Sequence, residues 1–185
     1  PSSISLDAYY ELVAPKRIKL PYFTWFFNSV KVALSATFLG VVVACFAGYS
    51  CSRFNFHGRK PFMYTILVGQ MLPAVTLIIP LYILFKDFGM LDTHPALLIT
   101  YVSFTVPLCT WLLKGFFDTI PPELEESAMV DGCHRLGAFA RVVLPLSAPG
   151  LAATALFAFI TAWNEFIFAR TILESSDHWI IALGL

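Results

Sequence analysis

VALSATFLGVVVACFAGYSCS, Val32 to Ser52, runs for 21 residues without a charged side chain. A helix rises about 1.5 Å per residue, so a run of that length crosses the roughly 30 Å hydrocarbon core of a bilayer. Three further uncharged runs follow: Pro61 to Phe85 (25 residues), Thr93 to Leu113 (21) and Val142 to Asn164 (23). A buried helix of a soluble protein accounts for one such run, not for four in 185 residues. The runs lack the alternation of a barrel strand, and hydrocarbon tolerates no open sheet edge, so the crossings are read as helices. The fold class expected is all-α, a polytopic membrane helix bundle.

Composition agrees. The chain is 58% hydrophobic and 13% charged, with a mean hydropathy of +0.74; soluble domains carry about 25% charged residues. Its 18 Phe and 4 Trp exclude a disordered chain. Twelve basic and twelve acidic residues leave no net charge, so nucleic acid is not an expected partner, whereas membrane lipid is. Cys45, Cys51, Cys109 and Cys133 form no disulfide framework or zinc spacing. His57, His94, His134 and His178 show no ligand spacing either, so no metal is expected. No glycine-rich phosphate loop occurs, so the chain itself is not expected to bind ATP. The acids near Asp118 and Glu123 are close only in sequence, with no cleft-forming domain to make them a glycosidase pair. No signal peptide is visible in the opening stretch, and the start at Pro1 is read as lying inside a longer protein.

The second run holds Gly69, Gln70, Pro73 and Pro80, and the third holds Pro107. Both are expected to be kinked inner helices, since membrane neighbours can satisfy the carbonyls a proline frees. The fourth is expected to begin at Pro145 and Pro149 and to pack through Ala152, Ala153, Ala155, Ala158 and Ala162. The link Arg53 to Lys60, with three fixed positive charges and no acid, belongs on the cytoplasmic side. Lys86 to Asp92 then lies outside, and Lys114 to Arg141 inside by parity. The N-terminal cations Lys16, Arg17 and Lys19 fall outside, against the charge rule. The aromatic stretch of Tyr9, Tyr10 and Tyr22 to Phe27 reads as interface anchoring, and Lys31 as a snorkelling side chain.

The informative polar segment is the inside loop Asp118 to Leu146. Pro121 and Pro122 can start a helix, with Glu123, Glu125 and Glu126 favoured by the dipole of its first turn. A second short helix is expected over Leu136 to Val143. Such a helix can lie on the membrane surface or be presented to a partner's groove.

Glu126-Ser127-Ala128, Asp131-Gly132 and Leu144-Pro145-Leu146 resemble the EAA signature of the permease subunits of bacterial ABC importers. Asn28-Ser29, Gly48 to Lys60, Gly69 to Tyr82, Trp111 to Gly132 and Ile160 to Phe166 are similar to the carbohydrate branch related to the maltose permeases. Ser127 and Cys133 depart from that pattern, where Ala is usual. The resemblance implies a type I importer subunit of six helices. This chain would span 1–185 of its transmembrane domain, truncated to four membrane helices (two to five) and a cytoplasmic coupling helix. It implies cytoplasmic ATPase subunits, a second permease and a periplasmic or extracellular solute-binding protein as partners, in the bacterial inner membrane. Chemistry would reside elsewhere: the chain is not an enzyme and holds no cofactor, with ATP and Mg bound by the partner ATPase. Its coupling residues would be Glu126, Ser127, Ala128, Asp131, Gly132, Leu144 and Pro145.

Candidates for the translocation path or gate are Gln70, Pro73, Thr76, Tyr101, Asn164 and Glu165. Polar groups such as these, with Ser103 and Thr105, can bond a solute's hydroxyls or simply bond between helices. Glu165 beside Trp163 reads more simply as an interfacial residue. The competing reading of the whole is a secondary transporter or channel subunit not driven by ATP. Such carriers place ionisable residues at midplane in broken helices, and here those residues lie away from the run centres.

Overall fold

The computed structural model describes residues 21–184. The expectations for Tyr9, Tyr10, Lys16, Arg17 and Lys19 lie outside the described residues. Nine helices, with one 3-10 turn, build the described residues: α1 (Tyr22–Arg53), α2 (Arg59–Gln70), α3 (Ile78–Asp87), α4 (His94–Asp118), α5 (Pro122–Val130), α6 (Arg135–Leu146), α7 (Ala148–Trp163), α8 (Ile167–Ile172) and α9 (Ile181–Gly184). α1 and α4 are each long and apolar enough to cross a membrane, and so are the bent pairs α2/α3 and α6/α7, each taken together.

The frame is α1 against α4, with α7 packed on both. α1 can lie close because its buried side carries a run of small residues at helical spacing: Ser29, Ala33, Ala36, Gly40, Ala44 and Gly48. A Cβ at Gly48 would stand 3.1 Å from the Lys114 amide nitrogen and 3.2 Å from the Thr110 carbonyl oxygen, so backbone meets backbone there. α7 buries Gly150, Thr154, Ala158 and Ala162, one residue per turn. The alanine face is therefore narrower than expected, since Ala152 and Ala153 are exposed. The core divides into two clusters. One gathers Val32, Phe85, Leu97, Tyr101, Phe168 and Ile172 towards the outer end; the other gathers Ala44, Cys109, Leu113, Phe117, Phe139 and Val143 towards the inner end.

The uncharged runs correspond to helices, with corrections to the second and the fourth. The second run is no mere kink: α2 stops at Gln70, Pro73 is extended, and α3 sets off after a 3-10 turn at 90° to α2. The third runs as one helix through Pro107. The fourth is divided at Ser147, where α6 and α7 meet at 79°, so Pro145 lies in the last turn of α6 and only Pro149 sits in the first turn of α7. Within α6, Phe139–Val143 form a π turn. That wider turn brings Phe139 and Val143 into the inner core while Arg141 stays exposed.

At the opposite end, Trp25 is buried rather than set in a lipid interface. Its indole N–H donates to the Ser176 carbonyl (2.8 Å), and its ring lies 5.8 Å from Trp179. Asp92, at φ 59, ties the outer connections together by accepting the N–H groups of Glu174 (2.9 Å) and Ser175 (3.0 Å) and the Ser175 hydroxyl (2.6 Å). Burial raises its carboxyl pKa, but the Ser175 and Glu174 bonds and the His178 ring outweigh that, holding it well below the ordinary carboxylate range. A depressed carboxylate contributes its full stabilisation above the unfolded pKa near about 4 and loses it as pH falls through the folded value. Asp92→Asn should therefore lower thermal stability at neutral pH and shrink the loss on acidification below about pH 4. Equal acid losses in both proteins would remove Asp92 from this role.

Candidate functional site

α5 begins at Pro122, a position suited to the first turn because its missing N–H would lack a partner there. Its C-terminus closes in a Schellman motif: the Cys133 N–H donates to the Ala128 carbonyl (3.0 Å) and the Gly132 N–H to the Met129 carbonyl (3.1 Å). Gly132 takes φ +93 to make that turn, while nothing lies within 4 Å of a Cβ built on it. The residue matters through its backbone conformation, not through close approach of another part of this chain.

Of the three glutamates, the structure singles out Glu125, a residue the sequence reading passed over. Glu125 is 5% exposed and forms an ion pair with the Arg53 guanidinium at the inner end of α1. Its other oxygen accepts from the Tyr49 hydroxyl at 2.8 Å, and Arg53 also donates to the Ile120 carbonyl at 2.9 Å. Tyr49 in turn packs against Phe139 with ring centroids 4.4 Å apart and the planes tilted by 44°, and Arg135 lies 5.2 Å over the Phe54 ring. One buried charge pair thus seats both short helices of the loop on the end of a membrane helix.

Glu126 makes no side-chain hydrogen bond or ion pair among the described residues. It projects outward with Ser127, Asp131 and the exposed Leu124, while Val130 is 87% exposed. Ala128 is half-buried, and the Ser127 hydroxyl is occupied by the Glu123 carbonyl (2.8 Å). Leu144 packs on the inner core and Pro145 is exposed. The outcome is a rigidly seated helix with an acidic and apolar outer face, a surface suited to a partner's groove.

Of the path candidates, Gln70, Tyr101 and Glu165 line one cavity of about 250 Å³ between α2, α4 and α7, together with Phe104, Thr161 and Phe168. Tyr101 donates to the Glu165 carboxylate (3.0 Å), which also accepts the N–H groups of Phe168 (2.9 Å) and Ala169 (3.1 Å) opening α8. Glu165 is thus held by a partner on another helix. Gln70 donates to the Phe104 carbonyl (3.0 Å). Pro73, Thr76 and Asn164 are not among the lining residues: the Thr76 hydroxyl donates to the Pro73 carbonyl (2.7 Å) and the Asn164 amide to the Ile160 carbonyl (2.9 Å). His94 and His178, unpaired in sequence, meet with rings 5.6 Å apart. Among the described residues no three potential ligands gather for a metal.

The bundle overlays a solved bacterial ABC transporter involved in import of the acidic polysaccharide alginate with a TM-score of 0.82. That match covers 98% of this chain and 62% of the other, at 24% identity, and shows the fold as that of a type I ABC importer permease. Among curated relatives, the maltodextrin transport system permease protein MdxG of Bacillus subtilis is 39% identical over 164 residues, 89% of this chain and 59% of its own. The diacetylchitobiose uptake system permease protein NgcG of Streptomyces coelicolor is 36% identical over 87% of this chain and 53% of its own. The trehalose/maltose transport system permease protein MalG of Thermococcus litoralis is 35% identical over 94% of this chain and 61% of its own. The chain spans roughly half to two thirds of the length of these relatives. The family described as the binding-protein-dependent transport system inner membrane component matches residues 36–184, which takes in α4, the seated loop helices and α7 whole, and the chain belongs to that family.

Proposed function

We propose that this chain is the membrane-spanning permease part of an ATP-driven importer that moves a carbohydrate or related polar solute into the cell. The observation that carries it is α5, a short helix fixed from behind by the buried Arg53–Glu125 pair and offering Glu126, Ser127, Val130 and Asp131 on its exposed side. A helix clamped to a membrane helix at its back transmits displacement in both directions, and that is what coupling to a soluble ATPase requires. In this reading ATP and Mg stay on the ATPase, and a second permease completes the path. A solute-binding protein delivers the cargo at the outer end, and the whole is multi-pass in a bacterial inner membrane. The sugar-transport names of the relatives support the cargo class. The cavity of Gln70, Tyr101 and Glu165, walled by Phe104 and Phe168, offers hydroxyl partners and aromatic faces of the kind a sugar uses.

The test is co-purification of the tagged full-length subunit, which should retain an ATPase and a second permease. Gly132→Val forces a β-branched residue to φ +93, a strain of roughly 1–2 kcal/mol at the turn that ends α5. It should reduce ATPase retention several-fold while leaving membrane insertion intact. Normal assembly with solute-stimulated ATP hydrolysis in that variant would overturn the assignment of the loop. Uphill uptake by an assembly with no ATPase would overturn the whole proposal in favour of an ion-coupled carrier.

A further inference from the structure

We propose that the cleft at the inner end of α2 and α4 binds the headgroup of an anionic phospholipid from the cytoplasmic leaflet. The cleft has a volume of about 660 Å³, and its lining contains Arg59, Lys60 and Lys114 but no acidic residue. Arg59 is steadied by donating to the Asn55 side-chain oxygen (3.2 Å), and Lys114 is paired with Asp118, one turn on. Lys60 makes no side-chain bond to another described residue and is exposed. Three cations therefore converge with a single, partly exposed carboxylate beside one of them, which leaves a net positive site open to a phosphate.

Two observations favour lipid over a soluble anion. Trp111 and Tyr64 also line the cleft, aromatic residues of the kind that settle at headgroup depth, and the Trp111 ring N–H points to the Met63 carbonyl at 3.4 Å. Exposed apolar side chains continue from it along the same two helices, Phe62 and Val68 on α2 and Leu112 on α4, giving acyl chains a surface to follow. The basic link at Arg53 to Lys60 places this end of the bundle at the cytoplasmic leaflet, and the inference does not depend on what the assembly transports.

The experiment is native mass spectrometry of the complete assembly taken from bilayers of mixed phosphatidylcholine and phosphatidylglycerol. Bound phosphatidylglycerol should exceed its share of the bilayer. Lys60→Gln should weaken that retention roughly fivefold and Arg59→Gln with Lys60→Gln further, at roughly 1 kcal/mol per cation. Lys31→Gln, at the opposite end of α1, should leave it unchanged. Lys60 holds no part of the fold together, so equal retention in Lys60→Gln and wild type would overturn the proposal. In a second arm, phosphatidylcholine bilayers with free glycerol phosphate should show no occupancy. Binding of free glycerol phosphate as tight as that of the lipid would overturn the lipid source.

Discussion

Glu125→Ala is expected to uncouple the assembly, with solute uptake falling at least tenfold, while Glu126→Ala leaves the subunit's own stability unchanged. The two residues are neighbours, but a helix turns about 100° per residue, so one faces the membrane helix and the other faces outward. Truncating Glu125 leaves the Arg53 guanidinium largely buried without its counter-charge and removes the acceptor of the Tyr49 hydroxyl. Breaking a buried pair from one side costs about 3–5 kcal/mol, whereas replacing both members by apolar groups is often neutral. The double variant Arg53→Met with Glu125→Leu should therefore recover most of the thermal stability that Glu125→Ala loses. Thermal unfolding of the full-length subunit, read beside uptake by the complete assembly, checks both halves. If Glu125→Ala unfolds at the wild-type temperature and transports normally, the ion pair is not what seats the loop.

Gly48→Leu should be the most damaging change available on the main helix crossing. The neighbours of its absent Cβ are backbone atoms of α4, at 3.1 and 3.2 Å, and backbone cannot rotate away as a side chain can. Forcing a side chain between them costs about 1–3 kcal/mol by overpacking and separates α1 from α4 where the inner core meets the Glu125 seat. Gly115→Ala, on the same stretch of α4 but with nothing within 4 Å of its Cβ, should instead be neutral or gain up to about 1 kcal/mol in helix propensity. Folded yield and melting temperature in detergent give the comparison. A Gly48→Leu protein as stable as Gly115→Ala would mean that the crossing does not need the close approach.

Much of this was readable without coordinates. Absence of charge located the four apolar segments, because hydrocarbon penalises every charge alike. Pro121-Pro122 followed by acids located α5, because capping is local. What escaped is rotational phase and bend. Nothing in Glu123, Glu125 and Glu126 says which one faces Arg53, since that depends on how α5 docks on a helix some seventy residues earlier in the chain. Pro73 announced an interruption, yet the 90° turn is set by where α3 finds its packing against α8. Ser147 followed by Pro149 is a helix-start signal in its own right. It was masked by the uncharged run around it, which hid the corner between α6 and α7. The meeting of His94 with His178, and of Trp25 with Ser176, joins distant parts of the chain that no local pattern connects.

The π turn over Phe139–Val143 carries a constraint of a different kind, on residue number and not on residue type. Such a turn holds one residue more than the α-helix around it. Deleting any one of the five would let the turn tighten into regular helix, nearly keeping the phase of its flanks but losing the width that brings Phe139 and Val143 together into the inner core; deleting a residue from the α-helical turns beside it would instead rotate everything upstream against everything downstream by about 100°. The loop helices and α7 would then no longer be in register: with α7 in place, α5 would swing its outward face away from where it now points, though every remaining side chain kept its chemistry. Conservative substitutions in this turn should be tolerated far better than a shift in spacing, so the distance along the chain from Gly132 to Pro149 acts as a ruler between the loop helices and α7.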